Sequence, residues 1–98
     1  MARRVVVQPQ ADLDIQVAAV WYEDQQSGLS ERFLDELHLV FSRIGDNPRQ
    51  FPVIEGEARR ALLRHFPYGV YFLVESQAIT VLAVLHLHRP PDVWKGRQ

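Results

Sequence analysis

Apolar and polar positions follow a helical period before residue 47 and a strand-like period after residue 58. Arg3 to Gln8 is a short β-branched run closed by Pro9, which predicts a first strand at or near a sheet edge. From Ala11 to about Gln26, Leu13, Val17, Val20 and Trp21 recur at helical spacing, with Ile15, Ala18 and Tyr22 widening the stripe. The spacing predicts an amphipathic helix with that stripe against a core. Pro9 suits a first helical turn, and Asp12 and Asp14 suit the positive end of a helix dipole.

Gly28 interrupts the pattern, and a second helix is predicted from about Leu29 to Asp46, its apolar face made of Phe33, Leu37, Val40, Phe41 and Ile44. Asn47-Pro48 stops it. Residues 47–57 hold two prolines and a glycine without a sustained period, so they are expected to form a loop, pinned to the core by Phe51 and Ile54.

The stretch from Arg59 to Val84 is the densest in Val, Ile, Leu, Phe and Tyr, and is broken only at Phe66-Pro67 and Ser76-Gln77. It predicts three antiparallel strands. With a two-residue turn at Ser76-Gln77, Val74 faces Ile79, Phe72 faces Val81 and Val70 faces Ala83 on the side that meets the helices, together with Ala61 and Leu63. The outer side then holds Arg60, Leu62, Arg64, Tyr71, Leu73, Glu75, Thr80, Leu82, Val84 and His86, and a one-residue slip would invert the assignment. The expected fold is α+β: an N-terminal strand, a helical hairpin and a three-stranded antiparallel meander, with both helices on one face of a small sheet.

Ninety-eight residues, 47% of them hydrophobic, are enough for one domain, 1–98, with one core. The absence of cysteine removes thiolate chemistry and disulfides and suits a reducing compartment. No apolar run is long enough to span a bilayer and no signal-peptide pattern opens the chain, so cytoplasm is the expected location, without a membrane partner. The net charge of −1 conceals a split. Residues 1–57 carry five basic and ten acidic side chains, a net −5, and residues 58–98 carry six basic and two acidic, a net +4. An acidic helical half therefore backs a basic sheet half. The total field is too weak for a dedicated nucleic-acid binder, so direct nucleic-acid binding is not expected.

Arg60, Arg64 and His86, with Tyr71, would make a metal-free phosphodiester-cleaving set if they shared the outer face. The same residues equally describe an uncovered sheet face that carries charge to stay soluble around a docking patch of leucines. His86 and His88 at i, i+2 lack a third ligand nearby, and no phosphate loop, nucleophile elbow or metal-protease spacing occurs, so no cofactor is expected. Pro90-Pro91 forces an extended exit from the last strand, followed by Trp94, Lys95 and Arg97. Trp94 fits either a partner anchor or a side chain folded back over the sheet.

In this order the chain resembles the RelE/ParE superfamily of toxins from type II toxin–antitoxin systems. The resemblance rests on Pro9 with Ala11 to Ile15 and Trp21-Tyr22, Gly28-Leu29 with Arg32 to Leu34, Ile44 with Asn47-Pro48, Arg59-Arg60, Phe66-Pro67-Tyr68, and His86 with Arg89, Pro90 and Trp94. It is nearer the ParE branch, because the lysine-rich helix of RelE is missing. It implies a bacterial growth inhibitor that forms a hetero-oligomer with a cognate antitoxin. ParE-type toxins are described as inhibitors of DNA gyrase, which makes gyrase the expected target and binding, rather than catalysis, the expected action. Arg89, Trp94, Lys95 and Arg97 are the candidate target contacts, and Trp21, Tyr22, Leu34, Leu62, Tyr71 and Leu73 the candidate antitoxin contacts. The alternative is a RelE-like ribosome-dependent mRNA endoribonuclease using Arg60, Arg64 and His86.

Overall fold

The computed structural model describes residues 3–90 and 92–97. Strand β1 (Arg4–Val7) leads directly into helix α1 (Pro9–Gln25), and helix α2 (Leu29–Asp46) returns antiparallel to it. Gly28 stands at the turn with φ of 88°, a left-handed conformation that other residues resist. The carboxylate of Glu23 accepts from the backbone N–H groups of Gly28 and Ser30 and from the Ser30 hydroxyl. One acid at the end of α1 thus caps the N-terminus of α2 and fixes the hairpin.

A 3-10 turn (Pro48–Gln50) and strands β2 (Val53–Glu55), β3 (Ala58–Leu62), β4 (Tyr68–Val74) and β5 (Ala78–His86) follow, and the last helix is α3 (Asp92–Lys95). The sheet order is β1-β5-β4-β3-β2, with β1 parallel to β5 and every other neighbour antiparallel. The segment 47–57 is therefore more than a loop, since it supplies the edge strand β2. Phe51 is buried in the main core as expected, with Arg59 Nη1 donating to its carbonyl at 2.6 Å, whereas Ile54 packs on the opposite face of the sheet.

The meander matches the expected register from Val74↔Ile79 to Phe72↔Val81, where a bulge intervenes. Beyond it Tyr71 pairs with Ala83 and Val70 with Val84. The extra residue is Leu82, so Leu82 and Ala83 both pack on the outer face, and everything after them is inverted relative to the expectation. Val84 joins the helix-side core, Leu85 the outer cluster, and His86 turns toward α1.

Between the helices and the sheet lies a core of Ile15, Phe33, Leu37, Ile44, Val70, Phe72, Ile79, Val81 and Val84. The second cluster, on the other face, contains Ala58, Tyr71, Leu82, Ala83, Leu85 and Trp94. Helix α2 buries the face its sequence predicts, although Phe41 is only half-buried. Helix α1 buries only the widening part of its expected stripe, Ile15, Ala18 and Tyr22, and turns the centre of that stripe outward. Its buried residues are Ala11, Ile15, Ala18 and Tyr22, while Leu13, Val17, Val20 and Trp21 face solvent. Two alanines on the inner face let the helix axis approach β5 closely, and the bulkier stripe is left outside.

Candidate functional site

The outward stripe of α1 is the largest departure from an ordinary surface. Leu13, Val17, Val20 and Trp21 are each more than half exposed, at the i, i+4, i+7, i+8 spacing of a contiguous ridge. Beside it run two adjoining concavities of about 210 and 480 Å³, which share Val17, Ala18, Tyr68 and His86. Together they form one groove between α1 and the end of β5. Trp21 and Pro67 close one end, and Asp14 and Arg89 lie toward the other.

Aromatic contacts hold the wall of this groove. Tyr68 lies 5.3 Å from Phe33 and 5.4 Å from His86, centroid to centroid, and Tyr22 packs edge-on to Trp21 at 5.1 Å. Burial pushes the Tyr68 phenol above its ordinary range, with Arg89 acting in the opposite direction. Burial likewise raises Tyr22, with Tyr68 adding to the effect. Both phenols therefore stay neutral and act as hydrogen-bonding, apolar-bodied wall groups. His86 Nδ1 accepts from the His88 backbone N–H at 3.1 Å, which leaves Nε2 to carry the proton of the neutral ring.

The three residues of the nuclease alternative do not meet. Arg60 sits opposite Tyr71 on the outer face. Arg64 falls past the end of β3, in the segment 63–67, where its backbone N–H donates to Glu36 of α2 at 2.7 Å. His86 faces α1. The outer-face placement expected for Arg64 and His86 is corrected by the early end of β3 in one case and by the bulge in the other. Among the described residues no group of His, Asp and Glu could hold a metal, and no helix is long and apolar enough to cross a membrane.

The tail residues proposed as target contacts are largely engaged with the protein itself. Trp94 is 2% exposed and stacks on Tyr71 at 5.2 Å, so it is core and not a projecting anchor. Arg97 pairs with Asp14, and Lys95 Nζ lies 2.9 Å from Glu55. Arg89 remains exposed on the turn that follows β5. The turn begins at His86, where Arg89 N–H donates to the His86 carbonyl, before the prolines; of the expected extended exit at Pro90-Pro91, Pro91 lies outside the described residues.

Of the proposed antitoxin contacts, Trp21 and Leu62 are exposed and Leu34 and Leu73 half-buried, but Tyr22 is buried in the helix-side core and Tyr71 under Trp94.

The sequence pattern of the family described as "ParE toxin of type II toxin-antitoxin system, parDE" matches residues 5–91. The chain belongs to the ParE toxin family. Among solved structures, one described as "Chromosomal ParDE TA system from P. aeruginosa" superposes with a TM-score of 0.77 over 87% of this chain and 96% of the other. At 13% identity, that likeness is one of fold. No match is found among curated proteins.

In this ParE-family toxin the groove residues Leu13, Val17 and Tyr68 were not among the sequence candidates. Their signal is present in the chain: α1 is apolar on two faces, and a helix lying on a sheet can bury only one.

Proposed function

We propose that this ParE-family protein is a growth-inhibiting toxin that acts by binding DNA gyrase in the cytoplasm and is neutralised by a cognate antitoxin seated in the groove between α1 and β5. The single observation that carries the antitoxin reading is the ridge of Leu13, Val17, Val20 and Trp21, left outside the core beside a groove floored by Tyr68. An amphipathic segment of a partner would remove this ridge from water, the usual driving force for a helix or strand docking in such a groove.

Action by binding is supported by the separation of Arg60, Arg64 and His86 onto different parts of the molecule. General acid–base cleavage needs groups within hydrogen-bond reach of one substrate atom. With Trp94 buried, the target contact is assigned to the rim around Arg89.

A supercoiling assay with purified gyrase tests the target: inhibition by the wild-type protein, weakened by Arg89→Glu, is expected, and no inhibition at large molar excess overturns it. Neutralisation is tested by co-expression with the short protein encoded in the adjacent reading frame. Val17→Asp with Trp21→Asp should leave toxicity intact and abolish rescue.

A further inference from the structure

On the face of the sheet opposite the helices, a pocket of about 270 Å³ lies between β2, β3, the turn after β5 and α3. Its wall includes two arginines, Arg60 and Arg89, the second shared with the groove on the helix side, together with the stacked Tyr71–Trp94 pair, Ile54 and Leu87. No described residue hydrogen-bonds or ion-pairs with either guanidinium. Glu55 also lines the pocket, but its Oε2 is held by Lys95 at 2.9 Å.

Arg60 is held unusually tightly for a cation without a partner. Its aliphatic stem lies against Gly69 of β4, where an added Cβ would stand 3.1 Å from Cδ and 3.2 Å from Cγ. Glycine at 69 therefore makes the channel in which this side chain lies. Its Nε is shut away from solvent without an acceptor. A buried, unsatisfied donor costs the free protein the desolvation of that group, and native structures keep few of them. An incoming acceptor recovers that cost.

We infer that this pocket receives a single carboxylate, the side chain of an aspartate or glutamate on a protein partner. An arginine presents Nε–H and one Nη–H side by side at the spacing of a carboxylate's two oxygens, so one acid would satisfy the orphaned donor and a second in one step. Arg89 adds charge from the pocket rim. Leu87, 40% exposed, is the side chain that gives way on entry. A phosphodiester strand is disfavoured on the same observations. The floor is aromatic and aliphatic, the volume suits one side chain, and Glu55 repels a polyanion while tolerating one paired charge. The pocket's chemistry does not depend on gyrase being the target.

The test is an NMR titration of the full chain with arginine side chains labelled, using N-acetyl-glutamate N′-methylamide as the acid probe. Arg60→Lys serves to identify the Arg60 Nε–H resonance. The expected result is a saturable shift of that resonance, with affinity weakened roughly tenfold in Arg89→Gln, the loss of one charge-assisted contact. Arg89 is exposed, so its variant folds normally. Four results would each overturn the inference: no saturation, an equal shift from sodium chloride at matched ionic strength, unchanged affinity in Arg89→Gln, or tighter binding by the dinucleotide UpU than by the acid.

Discussion

Asp14 on α1 and Arg97 in the C-terminal tail meet at 2.6 Å beside the edge of β5 that β1 leaves unpaired. Strand β1 pairs only with Ala78 to Val81, so the edge of β5 lies open from Leu82 onward. The Asp14 carboxylate accepts from the Val84 backbone N–H at 3.1 Å, and Arg97 Nη1 donates to the Leu82 carbonyl at 3.2 Å. Asp14 therefore does more than favour a helix start. The ion pair satisfies backbone groups that an edge strand otherwise offers to another chain.

Asp14→Ala or Arg97→Ala should each cost about 2 kcal/mol, because each leaves a half-buried charge and a backbone group without a partner. The double variant should cost clearly less than the sum of the two, the signature of a direct interaction. Urea unfolding of the four proteins measures both quantities. Light scattering should also show self-association of the variants through the uncapped edge, absent in the wild type.

Trp94 is a structural residue. Its replacement by alanine should destabilise the protein by about 3–5 kcal/mol, the range for a buried aromatic truncated in place. Loss of toxicity in Trp94→Ala should therefore track the fall in Tm, and Trp94→Phe should restore much of both. Toxicity lost with Tm unchanged would instead assign Trp94 to the target contact.

Acid should loosen the segment 63–67. Glu36 is partly desolvated against it, which raises its pKa, but hydrogen bonds from the His65 backbone and ring and from Arg64 N–H, with the His65 charge, hold it below the ordinary 4.5. The folded state thus takes up this proton at lower pH than the unfolded chain does. Its contribution to stability is complete above the ordinary carboxylate range and disappears as pH falls through the lowered value. The urea midpoint should drop between about pH 5 and pH 3, and Glu36→Gln should flatten that slope while lowering the midpoint at neutral pH.

The outward stripe of α1 should be nearly silent in the free protein. Val17→Asp and Trp21→Ser should each change unfolding free energy by no more than about 0.5 kcal/mol, as exposed positions do. Calorimetry with the antitoxin should show the binding heat lost in the same variants. A large drop in Tm would mean the ridge is part of the core after all.

Helix α2 was legible to its ends, because Gly28 and Asn47-Pro48 punctuate it and only one of its faces is apolar. Helix α1 was legible as a helix but not in orientation. Its two apolar faces compete, and the smaller residues Ala11 and Ala18 lie inside because a close approach to β5 favours them. The strand pairing could be read from the Ser76-Gln77 turn as far as Phe72↔Val81. The bulge that follows lies in a run of Val, Leu and Ala with no glycine or proline to mark it, and it alone decides that His86 belongs to the helix side. Pairs between distant residues, Asp14 with Arg97 and Glu36 with His65, carry no local signal at all.

The parallel pairing of β1 with β5 also orders events during synthesis. The first of the described strands needs, as its neighbour, the last of them, and the residue that caps the rest of that β5 edge, Arg97, comes later still. The hairpin of α1 and α2 can form early from local contacts, but it has no sheet to cover until β3, β4 and β5 have been made. A growing chain therefore carries a helical hairpin with its inner face unburied, and the sheet that covers it is complete only when β5 has followed.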